Sequence, residues 1–148
     1  GTYRTDPESY NSNAARLVGE WMVDARNMNF PSDLTIEPGK RYLFKASGCW
    51  KDWFISCGPT GCGPGWRLFT RKNRLPGKPF FMLCANINQQ LDHPALVFDI
   101  GNERTWTAPD EIGNLPDDER KLYFFANDWE NRYGNNSGAI LVRAYELN

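Results

Sequence analysis

Lys121-Leu-Tyr-Phe-Phe-Ala-Asn-Asp-Trp-Glu-Asn-Arg-Tyr-Gly-Asn-Asn-Ser-Gly-Ala-Ile-Leu-Val-Arg-Ala-Tyr145 is the stretch on which the fold turns. Its two ends, Lys121–Ala126 and Ala139–Tyr145, are dense in aromatic and β-branched residues, which suit a pleated, largely buried surface and read as strands. Between them, Asp128 to Gly138 is too rich in Gly and Asn to continue either strand. A polar loop is therefore held between two rigid elements. Asp128, Asn135 and Asn136 offer one carboxylate and two amide carbonyls, a hard-oxygen set suited to calcium. Calcium takes about six to eight oxygens, so main-chain carbonyls and at least one distant segment must complete the shell. Gly134 and Gly138 let the backbone turn carbonyls inward. The plain alternative is an Asn-Gly-rich hairpin loop without a ligand, the commoner meaning of such composition.

Working outward, strand-like runs recur along the chain. Leu17–Asp24, Asp33–Glu37 and Arg41–Ser47 show alternation or β-rich composition, with Pro38-Gly39 as the turn between the latter two. Further runs lie at Phe80–Cys84, Ala95–Ile100 and Thr105–Thr107, and Asp110 to Arg120 reads as a polar loop. Gly58 to Pro79 is a long, Gly- and Pro-rich excursion. Only Ala14-Ala-Arg-Leu17 has a short helical look. Gly1 to Asn13 is polar and without hydrophobic period, a tail or linker before a single domain spanning 14–148. Many short strands with Gly/Pro turns and no long amphipathic helix make an all-β, antiparallel β-sandwich. There is no internal repeat.

The chain has 148 residues, enough for one domain with a substantial core. Its 17 basic and 18 acidic residues are spread along it and give a net charge of -1, which supplies no electrostatic footprint for nucleic acid or an anionic membrane. No apolar run is long enough to span a bilayer, and the opening Gly1 suggests a processed form or an excised fragment. Cys49, Cys57, Cys62 and Cys84 form an even set with no Cys-x-x-Cys pair. That favours disulfides, with three open connectivities, and hence an oxidising, extracellular compartment; four free thiols packed as small hydrophobes are the alternative. Cys57 and Cys62 flank Gly58-Pro-Thr-Gly61, a turn that suits a local bridge. Asn135-Asn136-Ser137 is a formal glycosylation sequon, although a glycan there would obstruct a metal site.

Tyr133-Gly-Asn-Asn-Ser-Gly138, following Asn127-Asp128, resembles the calcium-dependent galactose-binding bacterial lectins of the PA-I type, which carry the same hexapeptide at the same spacing from an Asn-Asp pair. Weaker echoes follow in matching order: Ile36-Glu-Pro-Gly-Lys-Arg-Tyr42, Ala46-Ser-Gly48 with Trp50, and Trp106-Thr-Ala-Pro109. The resemblance covers Leu17 to the C-terminus, with two insertions, and implies a jelly-roll sandwich of the galactose-binding-domain kind. It also implies a ligand set for calcium: Asp128, Asn135, Asn136, the carbonyl of Arg132 and the carbonyl of Trp53, with Asp52 and Cys57 as alternatives for the last. In the family two adjacent sugar hydroxyls complete the coordination, and the Asp and first Asn also bond to them. The resemblance thus implies metal-dependent sugar binding, with calcium affinity toward the roughly 0.1 to 1 mM range of extracellular modules.

One departure bears on which sugar is bound. The family's His-Pro-Asp-Gln segment against the sugar is replaced here by Cys62 to Phe81, which has no equivalent His or Gln, so the ligand is galactose-like or another glycan. Trp129 and Glu130, directly after Asp128, and the rings of Trp53 or Trp66 can reshape the site, since an exposed ring stacks on the apolar face of a sugar. Each tryptophan taken singly reads as core, except Trp129 inside the polar loop. Catalytic constellations are weaker. Asp128/Glu130 and Asp117/Asp118/Glu119 offer paired carboxylates in number only. His93, the lone histidine, lies beside no nucleophile motif. Gly58 to Gly65 lacks the Lys-Ser/Thr ending of a phosphate loop. The sequence reads as a secreted, non-enzymatic, calcium-dependent carbohydrate-binding domain, free, homo-oligomeric or part of a larger protein. A calcium-braced structural or protein-interaction domain is the alternative, and a small glycan hydrolase the third reading.

Overall fold

The computed structural model of the protein describes residues 15–53, 55–62, 74–75, 78–79, 81–89, 96–128 and 133–147. These form nine strands: β1 (Ala15–Asp24), β2 (Phe30–Thr35), β3 (Arg41–Asp52), β4 (Ile55–Cys57), β5 (Leu83–Ile87), β6 (Val97–Asp99), β7 (Glu103–Thr107), β8 (Lys121–Ala126) and β9 (Asn136–Leu147). One sheet runs β1-β9-β3-β4, with β7 also on β3; the other runs β2-β8-β5-β6. Every strand pairing among the described residues is antiparallel. The chain is an antiparallel β-sandwich, as its sequence pattern requires.

Alternation builds the core. In β3, Tyr42, Phe44 and Trp50 are buried, while Lys45, Ser47 and Cys49 on the opposite parity are exposed. In β9, Ile140, Val142 and Ala144 are buried and Arg143 is exposed. From the facing sheet come Leu83, Ala85, Ile87, Leu122 and Phe124. The aromatic rings meet across the sandwich. The Phe44 ring lies 6.2 Å from Phe124 in an edge arrangement, and Phe98 stacks on Trp106 at 4.1 Å. Such pairs add about 0.5–1.5 kcal/mol each beyond their burial.

The four-stranded sheet is covered on both faces around β5, whose five residues are all buried. Cys84, Val97 and Phe125 form a second apolar cluster, against which Leu75 and Met82 pack. Both-face burial explains why Leu83–Ile87 is a continuous apolar run interrupted only by Asn86.

Several sequence expectations shift. The run expected at Phe80–Cys84 becomes a strand only from Leu83, because Phe81 adopts a left-handed φ of 67° and its N–H donates to the Asn127 carbonyl at 2.7 Å. The helical look of Ala14–Leu17 is overridden by pairing: Ala15 to Leu17 lie in β1 opposite Leu147 to Tyr145. β2 begins at Phe30, earlier than the expected Asp33. Its Pro31 is tolerated because β2 is an edge strand. The polar loop Asp110–Arg120 contains two short 3-10 turns, Asp110–Asn114 and Asp117–Glu119. Of the four cysteines, Cys57 and Cys62 form the expected local disulfide, whereas Cys49 is an exposed free thiol and Cys84 a buried one. Those two belong to different sheets, on β3 and β5, so a fully paired set does not form. Among the described residues no helix is long and apolar enough to cross a membrane.

Candidate functional site

The longest ladder in the molecule positions the candidate loop. β3 and β9 pair from Arg41↔Leu147 to Asp52↔Asn136 without a register shift. The final rung therefore places Asn136, the second residue of the Asn-Asn pair, beside the β3–β4 turn. Trp53 in that turn donates its N–H to the Asn135 carbonyl at 2.9 Å. Two segments separated by about eighty positions in sequence are thus fastened together, which is the arrangement a multi-oxygen cation site requires.

Within this frame the sequence-derived residues divide by burial. Asp128, just beyond β8, is only 1% exposed. Asn135 is exposed and closes the 3-10 turn Tyr133–Asn135; Asn136 opens β9 and is 2% exposed. Asn136 Nδ2 donates to the Ala25 carbonyl at 3.0 Å, which fixes the amide orientation because only the nitrogen can donate. Its Oδ1 is buried and has no hydrogen-bond partner among the described residues. An amide oxygen in that state costs about 1–3 kcal/mol unless something coordinates it. Gly138 adopts φ 85°, and its carbonyl accepts from Ala25 N–H at 3.0 Å. Gly134 sits in the 3-10 turn without a left-handed φ, so of the two glycines only Gly138 uses that freedom, and it does so inside β9 opposite Trp50. Trp129, Glu130 and Arg132, along with Trp66, His93 and the tail to Asn13, lie outside the described residues.

The paired Asn127-Asp128 splits into two roles. Asn127 is fully buried and its side chain is spent on the backbone of the preceding segment. Its Oδ1 accepts from Leu75 N–H at 2.8 Å, and its Nδ2 donates to the carbonyls of Leu75 at 3.0 Å and Pro79 at 3.2 Å. Asn127 therefore pins the layer that covers β5 and β8, leaving Asp128 as the residue of the pair suited to a ligand.

Arg74 is the residue that sequence reasoning missed. It is buried, its guanidinium lies 3.8 Å above the Phe125 ring, and it reaches both ends of the loop. Its backbone N–H donates to the Asp128 carbonyl at 3.2 Å, and its Nη1 donates to Tyr133 Oη at 3.3 Å. Nη1 also donates to the Met28 carbonyl, and Nη2 to Asn29 Oδ1 at 2.7 Å. Tyr133 Oη in turn donates to the Ala126 carbonyl. Burial pushes this phenol well above its ordinary range, an effect only partly opposed by Arg74, so it stays a protonated donor. Nothing in the local sequence Asn73-Arg-Leu75 marks this clamp.

Among the described residues no group of three or more His, Cys, Asp or Glu side chains gathers at one place. A transition-metal site of imidazole and thiolate does not describe this corner. One carboxylate, amide oxygens and main-chain carbonyls do describe the donor set of a hard cation, and the orphaned Asn136 oxygen fits it.

Fold and site together define an antiparallel β-sandwich with a polar, oxygen-lined corner at one end of its five-stranded sheet. No family model and no curated protein matches the chain. Among solved structures, one described as "EclA N-terminal domain; PllA-like lectin" aligns with a TM-score of 0.61, at 22% identity, over 88% of this chain and 98% of that one. At that identity the likeness is one of fold.

Proposed function

We propose that this chain is a carbohydrate-binding domain in which a calcium ion is held by Asp128, Asn135, Asn136 and the carbonyls of Arg132 and Trp53. The observation that carries the reading is the Asn136 amide, anchored through its nitrogen on Ala25 with its buried oxygen lacking a hydrogen-bond partner among the described residues. The fold likeness to a solved lectin domain supports it, as does the Tyr133–Gly138 hexapeptide. Held by those residues, calcium would supply open coordination positions for two neighbouring sugar hydroxyls. The chain's own residues do the rest: Asp128 and Asn135 bond to the same hydroxyls, while Trp129 and Glu130 shape the space around the ring. A site with one assured carboxylate suits a neutral diol, since it neither repels the ligand nor fills its own shell. In this reading the domain binds without catalysis and works outside the cell, where millimolar calcium and a Cys57–Cys62 bridge are both sustained.

Binding to a glycan array with and without EDTA tests this directly. Calcium-reversible binding that is lost in Asp128→Ala is the expected result. A calcium-dependent rise in melting temperature with no glycan bound would point to the structural reading, and released reducing ends to a hydrolase.

A further inference from the structure

The β3–β4 connection carries a residue that its backbone does not favour. Asp52 pairs with Ile55, so Trp53 takes the first position of a two-residue hairpin turn, where it adopts φ 56°. Primed hairpin turns need left-handed residues, and Gly, Asn or Asp meet that need without strain. A tryptophan here is costly, and the cost is not returned as burial: the residue is 74% exposed, the most exposed large apolar side chain among the described residues. Trp21, Trp50 and Trp106, by contrast, all pack into or against the core. Strained backbone at an exposed aromatic residue marks function more readily than stability.

Its location says which function. The Trp53 N–H bonds the Asn135 carbonyl, and the preceding residue, Asp52, is the rung opposite Asn136. The Trp53 backbone is therefore fastened at the corner that carries Asn135 and Asn136, and its side chain is exposed to solvent there. We infer that the Trp53 ring is a specificity-determining stacking platform, selecting pyranosides whose vicinal diol lies beside an unbroken C–H face. The inference rests on the sugar-binding reading of the same site and assigns to the side chain a task separate from the carbonyl of that residue. The diol is read by oxygens on one side, and the apolar face by the indole on the other. The left-handed turn is then the means of presenting a large ring to solvent instead of folding it back onto the sheet.

The test uses Trp53→Ala, Trp53→Phe and Trp53→Gly, the last keeping both the carbonyl and the left-handed turn. Methyl β-galactoside, methyl α-mannoside and methyl α-fucoside are titrated calorimetrically in excess calcium. The Ala and Gly variants should lose about three- to tenfold in affinity for the best-bound of these sugars, the range of one aromatic stacking contact, and their preference among the three should flatten. The Phe variant should retain most of both. Calcium is titrated without sugar for each variant so that sugar affinities are compared at equal calcium occupancy, and melting temperatures in EDTA should be no lower than the parent's for the Gly variant. Sugar affinities within twofold of the parent in the Ala and Gly variants would overturn the platform and leave the calcium reading intact. A marked drop in the Gly variant's melting temperature would also overturn it, by showing that the ring packs. Failure of the parent to bind any of the three sugars or a glycan array in calcium would remove the sugar-binding reading itself, and the platform with it.

Discussion

Replacing Asn136 with Ala separates a metal site from an ordinary hairpin loop. In calcium-free protein the substitution has two opposed effects. It removes the Nδ2 hydrogen bond to Ala25, worth about 1 kcal/mol, and it also removes an amide oxygen buried without a hydrogen-bond partner among the described residues, whose desolvation costs about 1–3 kcal/mol. The lost bond also leaves the buried Ala25 carbonyl short of a donor at a comparable cost of about 1–3 kcal/mol, so the terms oppose one another and in EDTA the variant should unfold within about 2 kcal/mol of the parent. Calcium breaks the balance. With the proposed site at a dissociation constant of roughly 0.1 to 1 mM, about 10 mM calcium should stabilise the parent by about 1.4–2.7 kcal/mol through mass action. For a chain of this size that is a rise in melting temperature of about 3 to 10 °C. The Asn136→Ala variant should show almost none of it. Thermal unfolding of both proteins in EDTA and in calcium, followed by near-UV circular dichroism, measures all four values. The reasoning fails if the variant keeps the parent's calcium increment. It fails equally if the variant is several kcal/mol less stable in EDTA, since Asn136 would then be a structural amide whose oxygen matters little.

Other consequences are simpler to read. Gly138→Ala places a Cβ 3.1 Å from Trp50 Cα and 3.3 Å from the Cys49 carbonyl at a φ of 85°, so both sterics and backbone oppose it. A loss of about 2–4 kcal/mol in urea unfolding is expected in EDTA, and a loss below about 1 kcal/mol would contradict the geometry. The two free thiols should differ sharply toward a neutral-pH thiol reagent. Cys49 is exposed, whereas burial holds the Cys84 thiol well above its ordinary range, so only one thiol per chain should label before unfolding and the second should appear with it.

How far the sequence could be read depended on whether the deciding interactions were local. Lys121–Ala126 is a strand with the boundaries its composition suggests, because Leu122, Phe124 and Ala126 fill one face and Asn127 ends the run. The Cys57–Cys62 bridge was equally visible, since Gly58-Pro-Thr-Gly61 is long enough to reverse the chain and short enough to hold the sulfurs together. The register that brings Trp53 to Asn135 was accessible only through a family resemblance, because no local pattern states which rung of β3 meets β9. Phe81 turned out of its expected strand for a tertiary reason, its bond to the Asn127 carbonyl. Arg74 was invisible for the same cause: a buried arginine is recognised by Tyr133, Asn29 and Phe125, which lie up to fifty-nine positions away. The exposure of Trp53 ran against the general tendency of tryptophan to be buried.

The uninterrupted β3–β9 ladder also sets the terms on which this corner can change. Asp52↔Asn136 is its terminal rung, so residues beyond it on either side can be exchanged without sliding a single core pair. An insertion inside the ladder would instead carry Ile140, Val142 and Ala144 to the wrong face. The sandwich thus behaves as a fixed mount with interchangeable tips, on which grafted loops could vary what the corner binds while the hydrophobic interior stays untouched.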